Sequence, residues 1–417
     1  MRITWMAQRT LRALQVSPDV DSVTKYLVTS PLPHMQGQEG SIAGIHIHKR
    51  GLPAVLSRFK QRSPSAFAAS LFMAATLFAA PSHAFAQEGF SWAEDFLERI
   101  AKVDEQTSGE LGVYLKDLDS GVSASYHGDE VWYLASTVKV PIAIAIMRRI
   151  DEGTMSLDTT VRLMESDYVD GAGPTNSHKP GTPLSVRYLM DQMLIHSDNT
   201  ASDLLISLVG LDAINAVTAE LVPQGFGPIT RLADVRRLIY GEFHPAASQL
   251  SGRDFLRLKQ QPQEAGRLSL LAKLIGVQRS EFQKISLAEA YKRYYATPFN
   301  SATLQAYGDL LSALIQGRAA SRASTEYLIS VMNRVETGTQ RIKAGLPKTV
   351  GYAHKTGTQV SRICDAGLIA PPPYRQAEPA GQIVVVACVR GGASTAKAER
   401  ALRGTGEAIT ASGVLRL

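Results

Sequence analysis

A serine and a lysine three residues apart, Ser136 and Lys139, could carry out nucleophilic chemistry. This spacing places both side chains on one face of the first turn of a helix. There a neutral lysine amine can accept the proton of the serine hydroxyl, and the helix N-terminus favours the negative charge that develops. The apolar run at 142–147 predicts a buried helix, and burial lowers the pKa of a lysine toward that of a general base. We therefore expect Ser136 to be the nucleophile of an acyl-transfer enzyme and Lys139 its base.

Two further short polar segments follow in the chain, Ser197-Asp198-Asn199 and Lys355-Thr356-Gly357-Thr358. Together with the Ser136–Lys139 pair they are called the three polar groups below. The Ser-x-x-Lys pattern alone is weak evidence, because it also occurs at 57–60 and 394–397. Each of the other two groups is expected in fewer than about 0.1 copies by chance in a chain of this length. The second group could cap a helix in any fold, but all three groups in this order favour a catalytic site.

The elements that would position these groups come from both ends of the chain. The predicted strands lie at 111–118, 122–126, 350–354, 362–369 and 383–390. The predicted helices lie at 92–103, 184–195, 201–209, 253–259, 268–275, 287–295, 301–315, 326–333 and 395–410, besides the one after Ser136. This order predicts an α/β (α+β) fold with one antiparallel five-stranded sheet flanked by helices and an inserted all-α lobe at about 136–335.

The composition is that of a globular protein. Of the 417 residues, 45% are hydrophobic and 20% are charged, which suits one large domain or two ordinary ones. The net charge of +6 arises entirely within residues 1–86, which hold nine basic and three acidic residues. Because the remainder is neutral overall, we expect no nucleic-acid partner.

The N-terminal residues have the pattern of an export signal. Basic residues at 58–62 precede an apolar run at 66–80, and small residues at 84–86 suit a cleavage site before Gln87. The run is shorter than the ~20 apolar residues that a membrane span needs, so we expect no retained anchor. Residues 56–86 are therefore predicted to be a signal peptide. Residues 1–55 fit no signal peptide, and we expect an over-extended start codon or a disordered leader.

Four segments of this chain resemble class A serine β-lactamases and penicillin-binding proteins. They are 138–141, 197–201, 341–347 and 354–358, and Ser136 lies just before the first of them. The resemblance covers most of residues 90–417 except 225–296. It implies a two-lobed serine hydrolase over residues 87–417 with its site in the cleft between the lobes. Cys364 and Cys388 would then lie on neighbouring strands, where both a bridge and two buried thiols remain open.

The resemblance also implies a role for each member of the three groups. Ser136 would attack the carbonyl of a β-lactam, and the backbone N–H groups of Ser136 and Thr358 would form the oxyanion hole. Ser197 would relay a proton to the leaving nitrogen while Lys355 keeps it polarised. Asn199 would hold the substrate amide.

The remaining predicted roles concern the carboxylate of the substrate. Lys355, Thr356 and Thr358, with Gly357 between them, would bind it by charge and hydrogen bonds. Arg362 lies four residues further along, on a predicted neighbouring strand, and is a further candidate for the same carboxylate. A solvated strand arginine is the alternative.

One part of the family's pattern is missing. Class A enzymes use a glutamate on an Ω-loop to activate the water that releases the acyl group, but at that place this chain has residues 233–237 without a glutamate. An insertion at about 239–295 follows. Glu242 is the nearest candidate for the missing base, with an ordinary loop glutamate as the equal alternative. Asp234 is a weaker candidate because its two arginine neighbours would lower its pKa.

The sequence therefore predicts an exported serine hydrolase that opens β-lactam rings through a Ser136 acyl-enzyme. A soluble penicillin-binding D,D-peptidase and a sensor that does not hydrolyse β-lactams are the alternatives. No cofactor or metal is expected. We expect a monomer, located in the periplasm or secreted, that binds a β-lactam or a small substrate resembling a peptidoglycan peptide.

Overall fold

The computed structural model describes the backbone of residues 82–370, 381–392 and 394–416, and the side chains of these ranges from residue 92 onward. The predicted leader at 1–55 lies outside the described residues. So does the predicted signal peptide, apart from its last few residues, which belong to the first described helix.

The secondary structure alternates between short strands and many helices. The helices are α1 (Ser82–Glu105), α2 (Lys139–Asp151), α3 (Val186–Ile195), α4 (Asn199–Val209), α5 (Leu211–Leu221), α6 (Leu232–Gly241), α7 (Gly252–Lys259), α8 (Glu264–Ile275), α9 (Leu287–Tyr295), α10 (Leu304–Ile315), α11 (Arg322–Asn333), α12 (Ile342–Gly345) and α13 (Thr395–Ala411). The strands are β1 (Glu110–Asp117), β2 (Ser123–Tyr126), β3 (Val131–Tyr133), β4 (Thr160–Arg162), β5 (Pro183–Ser185), β6 (Ser301–Thr303), β7 (Gly351–Gln359), β8 (Arg362–Ala370) and β9 (Ile383–Arg390).

The main sheet has five antiparallel strands in the order β2-β1-β9-β8-β7. Strand β1 pairs along its length with β9, so that residue 113 lies opposite residue 387. Both ends of the folded region therefore contribute to one sheet, and the predicted fold class is confirmed. Two small sheets, β3-β6 and β4-β5, join helical segments to each other.

The sheet separates two hydrophobic cores because side chains alternate between its faces. In β9, Val384, Val386 and Cys388 point into the core shared with α2, α3, α4, α10 and α11. The residues between them point into the second core, which includes side chains of α1 and α13. With both faces covered, the central strand β9 is apolar from Ile383 to Val389.

A third hydrophobic cluster involves the part of the chain predicted to be an insertion. It consists of buried residues from 235–294 together with Tyr133 and Ala135. Strand β3 and the residue that precedes Ser136 therefore pack directly against this segment. The segment is thus connected to the site and is not a separate appendage.

Two predicted helices start later than expected, because short strands precede them. Residues 183–185 and 301–303 form β5 and β6, and the helices begin only after Ser185 and Thr303. Both residues are N-caps whose side chains accept hydrogen bonds from backbone N–H groups. The sequence analysis missed α5 and α6.

Among the described residues, no single helix is long and apolar enough to cross a membrane. One pair, α4 and α5, meets the criteria together by length and composition alone, with an 88° bend between the two helices.

Cys364 and Cys388 form a disulfide between β8 and β9, where they are directly opposite in the register. Of the two alternatives that the sequence left open, the structure shows the bridge. Both residues are buried next to the strand that leads to Ser136, since Sγ of Cys364 contacts the carbonyl oxygen of Tyr133 at 3.6 Å.

Reduction of this disulfide should lower the free energy of unfolding by about 3 kcal/mol, because the bond closes a loop with a sequence separation of 24. Urea unfolding with and without a thiol reductant measures the change. The Cys364→Ala/Cys388→Ala protein is the control and should not respond to reductant. An identical midpoint for the oxidised and reduced wild-type protein would contradict the expectation.

Candidate active site

Ser136 and Lys139 lie where strand β3 leads into helix α2. Ser136 belongs to a 3₁₀ turn at Ala135–Val138, and Lys139 is the first residue of α2. The Nζ atom of Lys139 is 2.9 Å from Oγ of Ser136. Ala135 has a φ of 49°, a left-handed conformation that is costly for a residue with a Cβ. The candidate nucleophile therefore follows a strained residue and is hydrogen-bonded to an amine.

Lys139 is a fully buried amine surrounded by oxygen atoms. Its Nζ lies 2.7 Å from Oδ1 of Asn199 and 3.0 Å from the carbonyl oxygen of Ser197. Burial lowers the pKa of Lys139 to about 7, although nearby carboxylates act in the opposite direction. A neutral amine donates two hydrogen bonds and keeps one lone pair. Lys139 can therefore donate to Asn199 and Ser197 while it accepts the proton of Ser136.

Ser197 links the two buried lysines. Its Oγ is 3.0 Å from Nζ of Lys355 and 3.3 Å from Nζ of Lys139. Ser197 also has a positive φ, 61°. The next residue, Asp198, caps α4 by accepting a hydrogen bond from the N–H of Ala201 at 2.9 Å. Capping and the catalytic arrangement thus occur together, because Asp198 faces the helix while the residues on either side face Lys139.

Lys355 is also fully buried, on strand β7. Besides Ser197, its Nζ donates to the carbonyl oxygen of Thr356 at 3.0 Å. Burial, followed by the positive charges of Lys139 and Arg341, lowers the pKa of Lys355 well below its usual value. An anion that enters the cleft would favour the charged form of this lysine.

Strand β7 approaches the turn of Ser136 so closely that only glycine fits at position 357. A Cβ on Gly357 would lie 2.4 Å from the carbonyl oxygen of Leu134 and 3.2 Å from the backbone nitrogen of Ser136. The side chain of Thr356 is hydrogen-bonded to Thr337 at 2.5 Å. The predicted residues of β7 are therefore adjacent to the nucleophile.

The sequence analysis missed the role of Arg341 in holding this strand. Arg341 is buried and donates hydrogen bonds to the carbonyl oxygen of Gly357 at 3.1 Å, the carbonyl oxygen of Cys364 at 2.9 Å and Oγ1 of Thr358 at 2.7 Å. It also pairs with Glu399 of α13 at 3.3 Å. In the sequence, Arg341 stood out only because it belongs to the resembling segment 341–347. Nothing in that segment indicates a contact with β7.

The cleft next to Ser136 has a volume of about 320 Å³. Its lining includes five of the predicted site residues, which are Ser136, Ser197, Asn199, Thr356 and Thr358. Further lining residues that the sequence did not indicate are Tyr133, Asp170, Gly171, Ala172, Leu232, Val235, Arg236, Lys259, Thr337 and Gln359.

Helix α6 forms part of the lining and is held by a buried carboxylate. Asp203 accepts hydrogen bonds from the N–H groups of Leu232 at 2.7 Å and Ala233 at 3.0 Å. Burial raises the pKa of Asp203 to about 6, while these two hydrogen bonds act in the opposite direction. The first turn of α6 is thereby fixed to α4, next to the cleft.

An ion pair occupies the cleft near α6. Nε of Arg236 donates to both carboxylate oxygens of Asp170, at 3.1 Å and 2.9 Å. Nη1 of Arg236 donates to the hydroxyl of Tyr291 on α9 at 2.6 Å. The backbone carbonyl of Asp170 accepts a hydrogen bond from Asn199 at 2.7 Å, which connects the ion pair to the network of Lys139.

The structure does not bring the two candidate carboxylate bases or Arg362 to this cleft. Glu242 is the C-cap that follows α6 and pairs with Arg293 at 3.3 Å, and Asp234 pairs with Arg237 at 2.7 Å. Arg362 stacks over the ring of Tyr295, 4.4 Å from its centroid. None of these side chains is among the lining residues. The roles proposed for them stay predictions from the sequence.

Within the described ranges, no group of three or more His, Cys, Asp or Glu side chains could hold a metal ion.

The sheet and the flanking helices, with the Ser136–Lys139 pair beside the cleft, define a β-lactamase/transpeptidase fold. The model of the β-lactamase enzyme family matches residues 95–411. The chain therefore belongs to this family.

Similar proteins are β-lactamases and a penicillin-binding protein. A β-lactamase of Rhodobacter capsulatus is 32% identical over 117 residues, which are 28% of this chain and 40% of that protein. The chain spans about half the length of the curated relatives it matches. The structure of a β-lactamase from Sphaerobacter thermophilus has a TM-score of 0.57 and 24% identity over 77% of this chain and 97% of that one. The structure of PBP-A has a TM-score of 0.56 and 20% identity over 76% and 95%. These two structures share the fold.

The pKa of Lys139 should be about 7 in the folded protein, because its amine is fully buried. NMR of protein labelled at the lysine side chains measures it as the pH at which the Lys139 resonance shifts. The Lys139→Met protein assigns that resonance by its disappearance. A Lys139 signal that titrates with the exposed lysines, near pH ~10.4, would contradict the expectation.

Proposed function

We propose that this protein is an acyl-transfer enzyme that opens β-lactam rings by forming an acyl-enzyme at Ser136. The observation that carries the proposal is the 2.9 Å contact between Ser136 and a buried Lys139 whose pKa is lowered to about 7. At neutral pH a large fraction of such a lysine is neutral and can act as a base. A β-lactam is a cyclic amide, so attack on its carbonyl carbon breaks the C–N bond without separating the two products.

The hydrogen bonds indicate the route that the protons take in the acylation step. Lys139 takes the proton of Ser136 as its oxygen attacks, and Ser197 lies 3.3 Å from Nζ of Lys139. The hydroxyl of Ser197 can give its own proton to the leaving nitrogen and receive one from Lys139. Lys355, at 3.0 Å from the same hydroxyl, stabilises the negative charge on Ser197 during the transfer.

The substrate carboxylate would bind to strand β7. Thr356 and Thr358 line the cleft next to the buried Lys355. A carboxylate at this position restores the charge of Lys355 and forms charge-assisted hydrogen bonds with it. Asn199 uses one of its two amide N–H donors for the backbone carbonyl of Asp170, and the second N–H can donate to the acyl part of the substrate.

Release of the acyl group is expected to be slow. Hydrolysis of the ester needs a base that activates water. Asp170 is the carboxylate among the described lining residues, and Arg236 binds both of its oxygens. Because both oxygens already accept hydrogen bonds from Arg236, they are less available to bind a water molecule. This arrangement favours the second candidate, a penicillin-binding D,D-peptidase with a long-lived β-lactam adduct.

Export and a monomeric state belong to the proposal as well. Export rests on the sequence alone, through the predicted signal peptide at 56–86, and the monomeric state is an expectation from the sequence.

A chromogenic cephalosporin should acylate the purified protein, and Ser136→Ala should abolish the adduct. The rate of adduct formation should rise with pH by about tenfold per unit below 7 and level off above, because Lys139 acts only when neutral. Protein mass and released product are followed together. Sustained turnover would identify a β-lactamase, and a stoichiometric, stable adduct a penicillin-binding protein. The absence of both an adduct and released product with the wild-type protein would overturn the proposal.

Glu242→Gln should leave the lifetime of the acyl-enzyme within about twofold of wild type, because Glu242 pairs with Arg293 away from the cleft. The lifetime is measured as the decay of the adduct mass after removal of free β-lactam. Arg293→Gln is the matched control for loss of the same ion pair. A much longer lifetime in Glu242→Gln alone would show that Glu242 is the deacylating base.

A further inference from the structure

Arg236 is a cation at a place in the cleft where the resemblance to class A enzymes led us to expect a glutamate. It lies on α6 within residues 233–237, the segment in which that glutamate was missing. Its side chain lines the cleft, as does the exposed Lys259 at the end of α7. The charge of this part of the cleft is therefore opposite to that of the family pattern.

The ion pair with Asp170 has a buried side and an accessible side. The side chain of Asp170 is only 4% exposed, whereas that of Arg236 is 18% exposed. Nε and Nη1 of Arg236 are engaged by Asp170 and Tyr291. No described residue accepts a hydrogen bond from Nη2. Buried polar atoms that lack a partner do not include Nη2, so this nitrogen is on the accessible side. A group in the cleft thus meets the guanidinium before it meets the carboxylate.

Arg236 is on the side of the cleft that Asn199 lines. Asp170 connects the two residues, because its backbone carbonyl accepts from Asn199 and its side chain accepts from Arg236. The carboxylate of the leaving part of the substrate is assigned to Lys355 and the threonines of β7, whereas Asn199 is assigned to the acyl part. An anion bound by Arg236 would therefore belong to the acyl part.

We propose that Arg236 binds a second acidic group of the substrate, so that the preferred substrate is an amide with one carboxylate on its leaving part and another on its acyl part. This inference rests on the proposed function of Ser136. The planar guanidinium forms charge-assisted hydrogen bonds with carboxylates, and its fixed position requires little reordering. Lys259 adds attraction at longer range.

A purely structural role for Arg236 makes a different prediction. In that role Arg236 only neutralises the buried Asp170, and removing either partner would disturb the cleft in the same direction. In the binding role the two variants act in opposite directions. Arg236→Gln removes the attraction for an acidic acyl group, whereas Asp170→Asn leaves Arg236 without its internal counter-charge and strengthens that attraction.

Two penicillins that differ by one carboxylate test the proposal: benzylpenicillin and its α-carboxy derivative. The measured quantity is the ratio of their acylation efficiencies, followed by protein mass and quenched kinetics. Because Asp170 partly neutralises Arg236, we expect a ratio of about tenfold in favour of the carboxylated compound in wild type. The ratio should fall to about one in Arg236→Gln and exceed the wild-type value in Asp170→Asn.

Two controls keep the test decisive. The Asp170→Asn/Arg236→Gln protein buries no unpaired charge, so it should fold even where Arg236→Gln does not, and its ratio should also be about one. Arg237 is next to Arg236 in sequence, but it pairs with Asp234 and with the carbonyl oxygen of Leu250. The Arg237→Gln substitution should therefore leave the ratio unchanged.

The outcomes separate the inference from the proposed function. Adducts with both penicillins and the same ratio in wild type, Arg236→Gln and Asp170→Asn would overturn the binding role while the proposed function stands. If neither compound forms an adduct, calorimetric binding to the Ser136→Ala protein decides. Tighter binding of the carboxylated compound, lost in Ser136→Ala/Arg236→Gln, supports the role of Arg236 without any chemistry. Equal binding of both compounds overturns it.

Discussion

The site depends on the burial of one amine, that of Lys139. A lysine in water keeps its proton at neutral pH and cannot act as a base. Here the amine is fully buried at the start of a helix that is apolar and buried as far as Met147, and its pKa falls to about 7. Ser197 and Asn199 supply the hydrogen bonds that a buried amine needs, and Ser197 does so with a left-handed backbone. The neighbouring helix cap, Asp198, stabilises that loop and so stabilises the site.

The other wall of the site depends on a close approach of two backbones. Strand β7 reaches the turn of Ser136 because Gly357 has no Cβ, and Arg341 holds the strand there through bonds to Gly357 and Thr358. Arg341 is in turn paired with α13, the last described helix. The C-terminal helix and the sheet therefore contribute to the position of residues that lie more than two hundred positions after the nucleophile.

Sequence reasoning predicted what depends on residue type and local spacing, and it missed what depends on long-range contacts. The strand β9 and the helix α9 were predicted with the bounds that the structure shows, because β9 is a short continuous apolar run and α9 has helical periodicity. The three polar groups indicated that Ser136, Lys139, Ser197 and Lys355 belong together. Arg341 and Asp170 were missed, since nothing near them in sequence shows their partners. Helix α6 was missed because its apolar and charged residues were interpreted as a divergent loop.

The segment after α6 explains why the cleft has a cation where a carboxylate was expected. Its hydrophobic side chains pack with Tyr133 and Ala135, directly before the nucleophile. The same segment contributes Tyr291, which accepts a hydrogen bond from Arg236 and keeps it beside Asp170. A buried arginine is stable only with such acceptors around it, so the long segment and Arg236 depend on each other. The part of the chain that departs most from the family pattern is therefore built into the cleft, and it changes the charge of the cleft while leaving the Ser-Lys pair intact.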